Sequence, residues 1–215
     1  MKGAGQQLAV AIEWGTRVEA VPGEAEAGDR CIVCPFASGV LLGAIDGLGH
    51  GREAAAAAGI AAEVLAERPS DPVAALLRRC HGALKRTRGA VIALASIHYP
   101  DNSLSWLGVG NVEAVLYRAA ARGDGNGGAT AARDTHVIQL SGVVGYQLPD
   151  LRPASTTIAV NDRLLMATDG VRSDFPREIV LRGQPQKTAD LLMQRNRKTT
   201  DDALILVARY LGNRP

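Results

Sequence analysis

Val40-Leu41-Leu42-Gly43-Ala44-Ile45-Asp46-Gly47-Leu48-Gly49-His50-Gly51-Arg52 is the stretch that decides the fold. The apolar run over 40–45 reads as a buried strand. It stops on a carboxylate, and glycines at 47, 49 and 51 turn the chain into 52–68, an alanine-rich helix that Pro69 ends. A strand, a glycine turn and a helix invite a dinucleotide-binding reading. That pattern fails, because Arg52 stands where a third glycine is needed and Asp46 would repel a pyrophosphate. A second helix also follows at once. Asp71 is its expected N-cap, with Pro72 at the first helical position. Val73, Leu76, Leu77, Cys80 and Leu84 at helical spacing carry it to about Arg88.

On either side of this helix pair the texture is that of strands. Upstream, 8–14 and 31–35 read as strands, with 17–28 a loop or hairpin around Pro22-Gly23. Downstream, 90–99, 103–109 and 112–118 are short apolar runs split by turn residues, which is the pattern of a β-meander. The Gly-Asp-Gly-Asn-Gly-Gly run at 123–128 reads as a mobile loop tip. Further strands are expected at 136–140, 155–160, 163–168 and 203–210, with helices at 177–181 and 187–196. Strands, two helices, more strands and late helices do not alternate as βαβ units. The expected class is α+β, with antiparallel sheets flanked by helices. We read the 215 residues as one domain.

Composition narrows the function. Apolar residues make up 47% and charged residues 21%, an ordinary globular mixture that rules out disorder of the whole chain. Twenty-four basic against 22 acidic residues leave a net charge of +2, too balanced for a nucleic-acid or polybasic membrane protein. The start of the chain lacks a signal-peptide pattern, and three cysteines do not make a secreted disulfide framework. The expected location is the cytoplasm. Cys31-x-x-Cys34 lies in an expected strand rather than at a helix start, so it reads as buried apolar cysteine rather than a redox or zinc pair. His81, His98 and His136 match no ligand spacing.

The chemistry gathers on aspartates. Asp29 precedes one strand, Asp46 and Asp169 each end a strand and are followed by glycine, and Asp201-Asp202 open the last one. Aspartate is also a common turn residue, and spacing alone does not bring these together. Several carboxylates meeting at strand ends would repel one another unless a cation neutralised them, and hard oxygen ligands suit magnesium or manganese. A glycine after Asp46 would let a backbone carbonyl approach such an ion.

Five segments appear in an ordered series: Gly28-Asp29, Ala44–Gly51, Gly108-Val109-Gly110-Asn111, Met166-Ala167-Thr168-Asp169-Gly170-Val171 and Thr200-Asp201-Asp202-Ala203-Leu204. In this order the chain resembles the PPM-type metal-dependent serine/threonine phosphatases, above all their bacterial sporulation and stress-response branch. The resemblance implies an α-β-β-α sandwich of two antiparallel sheets, with two Mn2+ or Mg2+ ions at one end. It implies that Asp46 bridges both ions, that Asp29 and the Gly47 carbonyl serve one, and that Asp169 and Asp201 serve the other, Asp202 being the less favoured of its pair. The implied activity is hydrolysis of phosphoserine or phosphothreonine on regulatory proteins by metal-activated water, with no covalent intermediate. Within this branch, a chain that is only a catalytic domain is similar to stressosome feedback phosphatases, so phosphorylated stressosome scaffold proteins are the implied partners, without nucleic acid or membrane. An N-terminal sensor has no room if the first strand starts near Leu8.

Two parts of the family pattern have no clean match. Leu48 stands where eukaryotic relatives carry an acid histidine, which leaves His50 as a proton donor or a structural residue at the helix start. Arg17 and Arg30 are candidates for the phosphate-anchoring arginine by position alone. Two other readings stay open: a catalytically inactive binding protein of the same fold, and a hydrolase of small phosphoesters. The basic excess over 173–199, with Arg177, Arg182, Lys187, Arg195, Arg197 and Lys198, is either a steering surface for an acidic partner or a solvated helical face.

Overall fold

The computed structural model describes residues 11–119 and 134–212. The glycine-rich run at 123–128 lies outside them. Among the described residues eleven strands form two sheets. One has the order β1 (Ile12–Glu19), β11 (Ala203–Tyr210), β10 (Arg163–Ala167), β6 (Glu113–Tyr117), β7 (Thr135–His136). The other has the order β2 (Asp29–Phe36), β3 (Gly39–Gly47), β4 (Ala90–His98), β5 (Ser103–Val109), β8 (Gln139–Leu140), with β9 (Ala154–Thr157) also on β5. Three apolar layers hold them. Val40, Leu42, Ala44, Trp106, Leu204 and Leu206 fill the space between the sheets. Leu41, Ile45 and Ile92 face the helix pair α1 (Arg52–Glu67) and α2 (Val73–Leu84). Leu165, Ile205 and Val207 face α3 (Arg177–Leu181) and α4 (Pro185–Asn196). Strands such as β3 are covered on both faces, which is why they read as continuous apolar runs.

Several boundaries differ from expectation for local reasons. β1 runs on to Glu19 through polar residues 16, 17 and 19, because among the described residues it is an edge strand, paired with β11 alone. Helix α2 begins at Val73, with Pro72 extended before it and no side-chain cap, and the Asp71 carboxylate instead stands 3.8 Å from Arg79 Nη1. It ends at Leu84, whose carbonyl accepts from the Thr87 N–H at 2.9 Å and the Thr87 hydroxyl at 2.8 Å. The expected strand at 136–140 is two short strands on different sheets. His136 pairs with Val115 of β6, Val137 is wedged into the core between the sheets, and Gln139-Leu140 run parallel to β5. Among the described residues the sandwich therefore carries one parallel pair among antiparallel ones. Cys31 and Cys34 are half-buried rather than buried, and alternation sends them to opposite faces of β2.

The edge of β1 is covered at one point by a side chain. The Gln186 amide accepts from Thr16 N–H at 3.1 Å and donates to the Thr16 carbonyl at 2.9 Å. Gly15 permits this approach, since a Cβ there would fall 2.2 Å from Gln186 Cα. At one end of the sandwich the turn before β10 holds Asp162, 1% exposed. Its carboxylate accepts from Ala119 N, Ala159 N and Arg118 Nη1 at 2.8, 2.9 and 3.0 Å.

Candidate active site

The opposite end gathers the aspartates. In the β2–β3 register Asp29 lies directly across from Asp46. Asp46 shares a strand face with Leu42 and Ala44, and Asp29 shares one with Cys31 and Val33, so both point into the seam between the sheets. The other sheet delivers Asp169 just past the end of β10, and Asp201-Asp202 just before β11. The two sheets are tied together here: Thr168 Oγ1 donates to Asp29 Oδ2 at 2.7 Å and accepts from Leu204 N–H at 2.8 Å.

The electrostatics are those of carboxylates short of donors. Burial, and after it the charges of Asp29, Asp169, Asp201 and Asp202, pushes the Asp46 carboxyl up to about 8. Burial raises Asp29 to about 7, against the Thr168 hydrogen bond and with the neighbouring aspartates adding to it. Asp201 is raised too, chiefly by burial. Asp29 is 2% exposed, and its Oδ1 is buried with no hydrogen-bond partner. Asp202 differs from all of these. Its two oxygens accept from Val21 N–H and Gly28 N–H, each at 2.7 Å, so this carboxylate fixes the 20–28 loop. Among the described residues no three His, Cys, Asp or Glu side chains close around a common point. Like charges repel, and an acidic set of this kind closes only when a cation offsets them. An all-oxygen donor set with a buried, unpartnered carboxylate oxygen fits a hard divalent cation such as Mg2+ or Mn2+.

The Asp-Gly pairs have a packing reason that the sequence did not reveal. A Cβ on Gly47 would meet the Ala54 carbonyl oxygen of α1 at 2.2 Å, and one on Gly170 would meet the Asp202 carbonyl oxygen at 1.8 Å. Each glycine lets a second backbone pass directly behind a carboxylate.

Around this set stand residues whose roles sequence reasoning missed. Asn111 Nδ2 donates to Asp169 Oδ2 at 2.8 Å, and Lys198 Nζ donates to the Asp169 carbonyl at 2.6 Å. His50 stands between two glycines of positive φ, and its Nδ1 lies 2.8 Å from Glu24 Oε1. A carboxylate only accepts, so Nδ1 carries the proton and Nε2 is the free ring nitrogen. The helix cap is Gly51, not His50. Neither candidate anchoring arginine joins the aspartates. Arg17 pairs with Glu19 on β1, and Arg30 falls on the β2 face opposite to Asp29. Arg88, ion-paired with Glu53, instead lies over Gly49. Two of the six basic residues of the 173–199 stretch are ion-paired: Arg177 with Asp134 and Arg197 with Glu19. A cleft of about 550 Å3 beside this end is lined by Arg17, Glu19, Asp190, Met193, Arg197 and Thr199.

Comparison with known proteins places this geometry. Residues 37–211 match the family model of stage II sporulation protein E (SpoIIE). The phosphoserine phosphatase RsbX of Bacillus subtilis (strain 168) is 21% identical over 159 residues, covering 74% of this chain and 70% of that one. A chain solved in work on the bacterial stressosome, as a modular system adapted to control secondary messenger signaling, is 27% identical. It superposes with a TM-score of 0.83 over 92% of this chain and 99% of its own. The crystal structure of RsbX in complex with magnesium is 18% identical, with a TM-score of 0.79 over 93% and 95%. Fold and sequence together define a PPM-type metal-dependent serine/threonine phosphatase. The chain belongs to the SpoIIE family.

Proposed function

We propose that this protein dephosphorylates serine or threonine on phosphorylated regulatory proteins, stressosome scaffold proteins among them, and that residues 1–215 act as one catalytic domain in the cytoplasm. The carrying observation is Asp29 paired across strands with Asp46, the first buried and the second half-buried, with one Asp29 oxygen left without a partner. Asp29, Asp46, the Gly47 carbonyl, Asp169 and Asp201 would hold two Mg2+ or Mn2+ ions. Bound there, such ions supply positive charge to clamp the phosphoryl group and make a water nucleophilic near neutral pH. The chain's own residues do the rest. Asn111 and Lys198 hold Asp169 from its carboxylate and its carbonyl sides. Glu24 holds the His50 ring at Nδ1, and in the imidazolium form Nε2 carries the second proton, which it can hand to the departing seryl oxygen before the ring returns to the neutral Nδ1–H form. Among the described residues no helix is long and apolar enough to cross a membrane.

The test is phosphate release from phosphorylated stressosome scaffold proteins, after removal of bound metal, with and without added manganese. Release that needs manganese is the expected result, and full turnover in excess chelator overturns the reading. Binding without release would mark an inactive relative. Hydrolysis confined to small esters would mark a small-phosphoester hydrolase.

A further inference from the structure

Strand β8 leaves the sandwich at the same end as the aspartates, because it runs parallel to β5. The chain there makes a tight hairpin. Val143 and Gln147 exchange backbone hydrogen bonds, each 2.8 Å, and Tyr146 N–H donates to the Val143 carbonyl at 3.1 Å. Its stem is locked to the body of the protein. Val144 exchanges bonds of 2.9 and 3.0 Å with Ala90 and is fully buried. Gly145 N–H donates to His81 Nδ1 at 3.0 Å, and a Cβ on Gly145 would meet Leu84 Cβ at 2.7 Å. The tip is the reverse of the stem: Tyr146 is 84% exposed, the most exposed of the large apolar side chains among the described residues.

The position is informative. Ala90 is the register partner of Gly47 in the β3–β4 pair and of Val144 in the bridge beyond it. At roughly 4.8 Å per strand spacing, the hairpin stem stands about 10 Å from Gly47. An extended peptide advances about 3.3 Å per residue, so Tyr146 lies within reach of residues about three to five positions from a phosphorylated side chain seated at the aspartates. A rigidly presented tyrosine loses little conformational freedom on contact and offers a large, amphipathic face, which is why tyrosine is over-represented at binding hot spots.

We infer that the Tyr146 hairpin is a docking point for the polypeptide flanking the phosphorylated residue, so that the enzyme reads a protein chain and not the phosphoester alone. The inference rests on the phosphatase reading above, and its test separates the two. The probes are a phosphoserine peptide library with randomised flanks and p-nitrophenyl phosphate, assayed with manganese on wild type, Tyr146→Ser and Tyr146→Phe. The expected result is a fall of about tenfold in kcat/KM on the library for Tyr146→Ser, the size of a modest hot spot. Turnover of p-nitrophenyl phosphate should be unchanged, and Tyr146→Phe should keep most of the library activity. An unchanged library rate in Tyr146→Ser, or an equal fall on both substrates, overturns the docking role while leaving the phosphatase reading intact. A wild type inactive on both probes overturns that reading and this inference with it.

Discussion

Two buried carboxylates at opposite ends of the sandwich make an instructive pair. Asp162 is 1% exposed and Asp29 2%. Asp162 receives two backbone N–H groups and the Arg118 guanidinium, so both oxygens are satisfied within the protein. Asp29 receives one hydroxyl, faces Asp46 across the strand pair, and keeps one oxygen without a partner. Equal burial thus serves opposite ends. One carboxylate closes a turn, and the other sits in a cluster that is unfavourable until something positive arrives. Satisfaction, not depth, separates a structural acid from a working one.

The comparison can be broken most severely at Asp46. Asp46→Asn should reduce phosphopeptide turnover to background at saturating manganese while the metal-free fold survives, because a mutual repulsion has been removed. Thermal melts in chelator should show a midpoint equal to or above wild type, and wild-type turnover in the variant would sink the ligand assignment. Asp162→Ala should do the reverse. It removes the counter-charge of the Arg118 guanidinium and leaves two N–H groups unpaired, and should lower stability by about 3–5 kcal/mol in denaturant titration. The surviving folded fraction should keep its kcat. Next in size, His50→Gln should lower kcat by about a hundredfold, the low end for a lost general acid, with metal affinity unchanged in calorimetry. A variant with wild-type kcat would reduce the Glu24–His50 contact to loop structure.

A further expected effect is a pH dependence of stability in the metal-free protein. Asp46 and Asp29 are held near 8 and 7 when folded, against about 3.9 for an unfolded aspartate. The folded state therefore binds more protons between those values. Stability from this source is full below about pH 4 and is lost as pH rises from there through 7 to 8. Melting points in chelator should fall over that range. Asp46→Asn should flatten the drift, and an upward trend with pH in wild type would contradict it.

Much of this was legible in the sequence. The apolar run ending on Asp46, the glycine turn and the paired helices are local patterns, and α3, β5 and β11 fall where periodicity put them. The aspartates could be named from their strand-end positions. What the sequence could not show was pairing at a distance. Alternation over 136–140 suits either sheet, so the crossing at Val137 is invisible until both sheets exist. Asp201 and Asp202 are neighbours of one type, and only the N–H groups of Val21 and Gly28 tell them apart. Glu24 and His50 are separated by 26 residues of strand and turn.

The Gln186 amide over Thr16 has a consequence for the protein in a crowded solution. An edge strand with free backbone groups is a template on which another chain can grow a sheet, and β1 shows Trp14 and Val18 beside that edge at 47% and 37% exposure. By filling the Thr16 donor and acceptor itself, α4 interrupts the ladder midway along the strand. A neighbouring strand meets a gap where it needs a continuous row of partners, and one side chain makes the edge a poorer template for a second chain.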